Sequence, residues 1–376
     1  MKILVAGDFV PNQRVATNVE LGNYSCLDEV RPIIDKVDYA IVNFESPVVI
    51  HEAKPIDKTG PNLKCTEKAM ECIAQVGFHC VTLANNHFRD YGQAGVADTI
   101  DSCLKNGIKY VGGGKTKEEA EQILYENVDD KTLAIINVCE NEWSVAGKNY
   151  GGSASLNPVE NYYKIQEARK NADYVLVIVH GGIEGYQYPT PRMIETYRFF
   201  VDAGADAVVN HHQHCFSGCE VYKEKPIFYG LGNFCFDRKE QRGSIWNEGY
   251  MVEINFSEGC TEYNIIPYIQ CDEKPTVVLQ EGEKLESFNK RIAQINEVIA
   301  NKELLQKHFS DKVDSMYEYR LLALEPIDNQ FVKNLQNRKL FPRLVRREQR
   351  KSMLMRIRCE SNSELLIGVL KKYFNL

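Results

Sequence analysis

Three of the chain's eight histidines stand within four positions, in the stretch VNHHQH at residues 209–214. Imidazole ligates transition metals and exchanges protons near neutral pH. The cluster therefore admits three readings: a metal site, a patch of solvated loop, or a satisfied polar group in a core. Other residues with metal-ligating side chains recur in the same setting. Asp8 closes the apolar run KILVAGD, Glu45 closes YAIVNFE, Asn86 and His87 close HCVTLANNH, His180 closes YVLVIVH, and His212 and His214 follow DAVVN. Taken singly, each has a plain explanation, because an acidic residue after a strand caps the next helix and an isolated histidine is usually a hydrogen-bonded polar residue. Five strand ends that all finish in Asp, Glu, Asn or His exceed what capping and turn preferences produce. Mixed carboxylate, amide and imidazole donors suit zinc, manganese or iron better than calcium or magnesium. The expected cofactor is a divalent transition metal, as one or two ions.

These donors meet only if the strands that carry them lie side by side. The runs KILVAGD, YAIVNFE, HCVTLANN, IKYVGGG, KTLAIINV, YVLVIVHGG and DAVVNHH alternate with helix-period stretches near 26–36, 66–77, 93–106, 116–127, 158–171 and 192–203. Such alternation predicts a layered α/β domain. In open α/β sheets, ligands bind in the crevice at the carboxyl ends of the strands, where these residues fall. KPIFYGLGN, YMVEINF and EYNIIPY follow without long helical spacers, so they are expected to pair largely antiparallel and to make the sheet mixed. After about residue 283 the pattern turns to helix period, which predicts residues 1–280 as the α/β domain and 281–376 as a helical, basic C-terminal region.

Charge is unevenly distributed along the chain. The chain carries a formal −7, but from Phe331 onward 12 Lys/Arg stand against 3 Glu, leaving −16 for residues 1–330. The basic run FPRLVRREQRKSMLMRIR predicts an amphipathic helix with a solvated basic face. The acidic body argues against nucleic acid as a partner. Twelve scattered cysteines without a CxxC pair read as reduced thiols, and the single CxxxC, Cys215 with Cys219, is weak evidence for zinc. The first residues, MKILVAGDFVPN, lack a signal-peptide pattern, and no apolar stretch is long enough to span a bilayer. The expected compartment is cytoplasmic, with no transmembrane segment.

The segments GDFVPN, NFESPV, LANNHFRDYG, VHGGIEGYQYP, NHHQHCFSGCEVY and KPIFYGLGNFCFD, in this order, resemble the motif series of the CapA-like poly-gamma-glutamate capsule biosynthesis family (PGA_cap), itself similar to calcineurin-like metallophosphoesterases. The resemblance runs over residues 1–270. It implies a four-layered metallophosphoesterase-like sandwich with mixed sheets, here followed by a C-terminal helical extension. It implies that Asp8 binds one metal, that Glu45 bridges, that Asn86, His180 and His212 complete a second position, and that His214 returns to the first. His87 then takes the place of the histidine that protonates the leaving group or steadies the transition state, and Asp90 orients His87 or an outer ligand. Val10 stands where metallophosphoesterases have a further histidine, so one well-formed and one weaker position are expected. His211 reads as a bystander or an outer residue.

The implied activity is that of a metal-dependent hydrolase of the phosphoesterase type, with metal-bound hydroxide as nucleophile and His87 as general acid. Glu184 is placed to accept a proton or a substrate amine, although as a lone residue it is also an ordinary loop carboxylate. Lys58 is a candidate for gripping an anionic substrate group, against the plain alternative of a solvated loop lysine. Asn233 is a candidate for substrate binding or for bracing the site. The implied substrate is an anionic polymer or a phosphoester, with other capsule biosynthesis proteins as partners. The alternative function is a non-catalytic assembly or binding protein that keeps a vestigial metal site.

Overall fold

A continuous apolar run makes a strand that must be covered on both faces, and KILVAGDFV (Lys2–Val10) is such a strand, buried from Ile3 onward. Alternate residues go to opposite layers. Ile3 and Val5 join a core with Leu133, Val177 and Val208 of a second sheet. Leu4 and Ala6 join another core with Met70, Ile73, Val96 and Ile100 of two covering helices, Glu67–Val76 and Gly92–Lys105. The computed structural model describes residues 1–373 except 129, 259, 327 and 328. Its two compact units are Met1–Gln306 and Lys307–Leu376.

The first sheet has the order Val277–Leu279, Cys260–Gln270, Glu248–Ser257, Lys2–Val10, Tyr39–Phe44, Cys80–Thr82, Lys109–Val111. The strands from Lys2 to Val111 run parallel, and those after Glu248 pair antiparallel. The second sheet has the order Cys219–Tyr222, Lys225–Phe228, Ala207–His211, Tyr174–His180, Lys131–Cys139, Leu124–Val128. Its four central strands are parallel and its two edge strands antiparallel. Helices Pro158–Asn171 and Pro191–Asp202 pack on its outer side, which completes four layers.

Three local expectations fail, each for a physical reason. The stretch 116–127 is helical only over Lys117–Ala120; Leu124–Val128 (LYENV) alternates half-buried and exposed residues and pairs as an edge strand with Lys131–Cys139. The stretch 26–36 breaks into a 3-10 turn, Ser25–Leu27, and a short helix, Arg31–Ile34. Pro32 has no N–H to continue a helix begun before it but is tolerated in a first turn. KPIFYGLGN holds one strand and only the first residue of the next. Lys225–Phe228 is parallel to Ala207–His211, and Asn233–Phe236 is parallel to the end of Lys2–Val10.

That last pairing depends on Gly7. The Asp8 N–H donates to the Gly232 carbonyl at 3.2 Å, and a Cβ on Gly7 would run into that carbonyl oxygen. Gly7→Ala is therefore expected to cost about 3 kcal/mol or more by overpacking against backbone, read as a lower urea midpoint of unfolding.

Helix-period sequence begins at Gly282, yet helix Gly282–Ala300 lies within the first unit, where Phe288, Ile292 and Ile295 enter the core between the sheets. The second unit holds the rest of helix Lys302–Ala323 and helices Gln330–Asn337, Arg347–Arg358 and Glu360–Tyr373. Within it, buried Glu325 accepts from the Leu344 and Val345 N–H groups at 2.7 and 3.3 Å and from Arg350 at 2.8 Å. No helix among the described residues is long and apolar enough to cross a membrane.

Candidate metal centre

Parallel pairing aligns the strand ends. Asp8 is paired with Asn43 and with Asn233, and His211 with His180. The register shifts at Asp8 on both sides, a bulge of the kind that re-aims a side chain beside a site. After His211 the backbone turns through positive φ at His212 (89°) and His214 (55°). Non-glycine residues reach this region only under strain, and such strain concentrates at functional sites. The turn sends the two imidazoles to different neighbours.

His180 Nε2 is the meeting point of one group. It lies 3.1 Å from Asn86 Oδ1, 3.0 Å from His212 Nδ1 and 3.4 Å from Glu45 Oε1. Four lone-pair atoms converge there, and at most one of the two facing imidazole nitrogens can carry a proton. Asp8, Glu45 and His214 form a second group, and Glu184, His212 and His214 a third, each with its ligand atoms within 4.8 Å of one another. Glu184 is exposed, whereas the other members are buried. Among the described residues no such group contains a cysteine; Cys219 instead lies against Tyr263 and Asn296.

Glu45 tests whether these residues fit a cation. It is fully buried, and among the described residues neither carboxylate oxygen receives a hydrogen bond. A buried carboxylate without hydrogen-bond partners is costly, and a cation held among these donors would offset the cost, so the donor set fits. Burial, and after it the charge of Asp8, pushes the Glu45 carboxyl well above the usual range. Burial holds His180 well below its ordinary value and His212 at about 4, which leaves both imidazoles neutral and ready to ligate. Burial also pushes Asp8 upward, but His211 and His214 outweigh it and hold the carboxyl well below the usual range.

The supporting contacts are specific. His214 Nδ1 lies 2.9 Å from Asn233 Oδ1, while Asn233 Nδ2 donates to the His214 and Trp246 carbonyls. With Nδ1–H given to Asn233, Nε2 is left facing Glu45 Oε1 at 3.8 Å. Asn233 is thus placed as a brace of His214. His87 Nδ1 lies 2.7 Å from Asp90 Oδ2, and the same oxygen accepts the Leu63 N–H at 2.6 Å. Lys58 donates to Asp90 Oδ1, its ammonium stands 3.3 Å from His87 Nδ1, and its side chain is 3% exposed. The lysine is therefore not a solvated loop residue, and its charge is engaged on Asp90. Burial lowers the His87 pKa against the opposing pull of Asp90.

Two contributors escape the sequence reading. Asn43 donates to Asp8 Oδ1 at 2.7 Å and accepts from Thr82 Oγ1 at 3.1 Å; its signal is a polar residue inside the apolar strand YAIVNF. Glu142, in the loop after Lys131–Cys139, stands 3.7 Å from His212 Nε2. A carboxylate on the far nitrogen of a ligating imidazole fixes its tautomer, but nothing in ENEWS announces the contact.

Comparison with known proteins places these residues in context. Residues 2–238 match the family model described as bacterial capsule synthesis protein PGA_cap. The chain is 34% identical over 247 residues to the capsule biosynthesis protein CapA of Bacillus anthracis, covering 63% of this chain and 60% of that one. It is 35% identical over 221 residues to the PGA biosynthesis protein CapA of Bacillus subtilis, covering 58% of each. The chain thus spans about three-fifths of the length of these relatives. A phosphatase structure from Mycoplasma pneumoniae is similar with a TM-score of 0.45 at 14% identity, over 77% of this chain and 98% of that one.

Proposed function

Because the chain belongs to the bacterial capsule synthesis protein family PGA_cap, we propose that it acts in making or releasing an anionic capsule polymer, such as poly-gamma-glutamate, as a metal-dependent hydrolase of the phosphoesterase type. The observation that carries this reading is Glu45, a fully buried carboxylate whose two oxygens have no hydrogen-bond partner among the described residues, set among Asn86, His180, His212, His214 and Asp8. Glu45, Asn86, His180 and His212 would hold one divalent cation, and Asp8, Glu45 and His214 a second. When bound, manganese, zinc or iron supplies Lewis-acid polarisation of the attacked group and acidifies water.

The chain's own residues do the rest. Asp90 takes the Nδ1–H of His87, so the protonated imidazole would present its Nε2–H to a leaving group and be left neutral, with the remaining proton on Nδ1. Lys58 holds Asp90 from the other side and keeps the carboxylate directed at His87. Glu184, exposed beside His212 and His214, is placed to meet an incoming substrate group. A purely structural metal site has no use for a histidine held in this way, which favours a hydrolase over a non-catalytic assembly protein. Other capsule biosynthesis proteins are its proposed partners.

Loaded with manganese or zinc, the purified protein is expected to turn over a generic phosphomonoester or phosphodiester. His87→Ala should lower turnover by about 100-fold or more while metal content stays unchanged, and His212→Ala should lose both. Wild-type protein that takes up no transition metal under any loading condition would sink the reading.

A further inference from the structure

The two oxygens of Asp8 have different surroundings. Oδ1 accepts from Asn43 Nδ2 at 2.7 Å. Oδ2 accepts weakly from the His212 N–H at 3.4 Å and lies 3.4 Å from His214 Nδ1, on the side of the Asp8, Glu45 and His214 donors. Along the same strand, Val10 offers no polar help. It packs with Phe236 and Trp246, and the Trp246 ring stands 4.8 Å from that of His214. A further contact to Asp8 comes from the facing sheet.

His211 is what the facing sheet supplies. It is the last residue of strand Ala207–His211, in register with His180, and is 1% exposed. Its Nδ1 lies 3.4 Å from Asp8 Oδ1, just beyond a good hydrogen bond, and among the described residues neither ring nitrogen has a hydrogen-bond partner. A buried imidazole with idle nitrogens costs free energy that an apolar side chain of similar size would not. Its one ion-pair contact among the described residues is Asp8. We infer that His211 is a positioning residue for the cation held by Asp8: with Asn43 it grips Oδ1, so that Oδ2 is turned toward the ion shared with Glu45 and His214. This rests on the metal-centre reading above.

The test compares the wild type with His211→Phe, which keeps a ring and removes both nitrogens, and with His211→Asn, whose amide N–H reproduces the Nδ1 donor. Each full-length protein is titrated with Co²⁺, read by visible absorption and by metal content after dialysis. The wild type is expected to bind two ions. His211→Phe should weaken one of them about 10- to 100-fold, with loss of that ion's absorption band, and leave the other at wild-type affinity. His211→Asn should restore the weakened ion to within about threefold. If His211→Phe fails to fold, His211→Leu makes the same comparison. Two ions bound by the Phe or Leu variant with wild-type affinity and spectrum overturn the inference alone, as does one ion in the wild type that is indifferent to His211. A wild type that binds none overturns the metal-centre reading as well.

Discussion

Glu45→Gln is expected to make the metal-free protein more stable while removing most of its affinity for metal. The two effects have one origin. In the free chain Glu45 is a fully buried carboxylate whose oxygens receive no hydrogen bond, and Asp8 adds a second negative charge nearby. Neutralising an unpaired buried charge with an isosteric amide recovers about 1–3 kcal/mol. The sign with pH follows from linkage. Burial raises the carboxyl's pKa in the folded state, so the folded protein binds this proton more tightly than the unfolded chain, and stability falls as pH rises from about 4.3, the unperturbed value, through the raised one. The advantage of Gln should therefore be largest at pH 8 and vanish near pH 4. Urea unfolding in the presence of a chelator measures it. The cost appears on adding metal: binding to the folded state raises stability by RT ln(1 + [L]/Kd). A loss of about 100-fold in affinity removes nearly 3 kcal/mol of that gain at saturating metal. A metal-free variant clearly less stable than wild type, or one that metal stabilises as much as wild type, would show that Glu45 is not the bridge.

How much of this was legible in the sequence follows from what each feature depends on. A strand that ends in a ligand advertises itself locally, as an apolar run followed by Asp, Glu, Asn or His, and parallel pairing then collects those ends without further information. Asp8, Glu45, Asn86, His180, His212 and His214 are brought together in this way. The assignment of His212 and His214 to different metal positions is what the family resemblance implies, and the positive-φ backbone at both residues did not show in the sequence. Lys58 was opaque because its loop carries no periodic signal. The Ile56 N–H donates to the Asp90 carbonyl at 2.9 Å and the Leu63 N–H to its side chain, and these long-range contacts draw the lysine inward. Asn43 and Glu142 make contacts that the sequence does not show, since their partners, Asp8 and His212, are far away in the chain. The failure at 116–127 was a matter of period: LYENV is too short for helical and alternating patterns to separate until Lys131–Cys139 offers an edge to pair with.

Asp90→Asn should be the most damaging single change outside the proposed ligands, and a second substitution should repair its fold without repairing its chemistry. The Asp90 carboxylate, fully buried, receives His87, Lys58 and the Leu63 N–H. Asparagine keeps the shape, but it turns one oxygen into an N–H facing a donor and leaves the Lys58 ammonium buried without a counter-charge. Breaking a buried pair on one side costs about 3–5 kcal/mol, and unbinding the His87 imidazole from its carboxylate should lower turnover about 100-fold or more. Lys58→Met in the same chain removes the orphaned charge and keeps the apolar stem, so the double variant should regain most of the lost stability. The coupling between the two sites is expected at about 1–3 kcal/mol. Turnover should remain at the level of Asp90→Asn, because methionine returns nothing to His87 Nδ1. Urea unfolding of the four proteins of this cycle, with phosphoester turnover at saturating metal, separates the roles. If the double variant recovers activity along with stability, Asp90 serves to neutralise Lys58, and His87 does not depend on it. If it recovers neither, the carboxylate holds the 56–63 segment in place through Leu63, and the backbone link from Ile56 is too weak to do so alone.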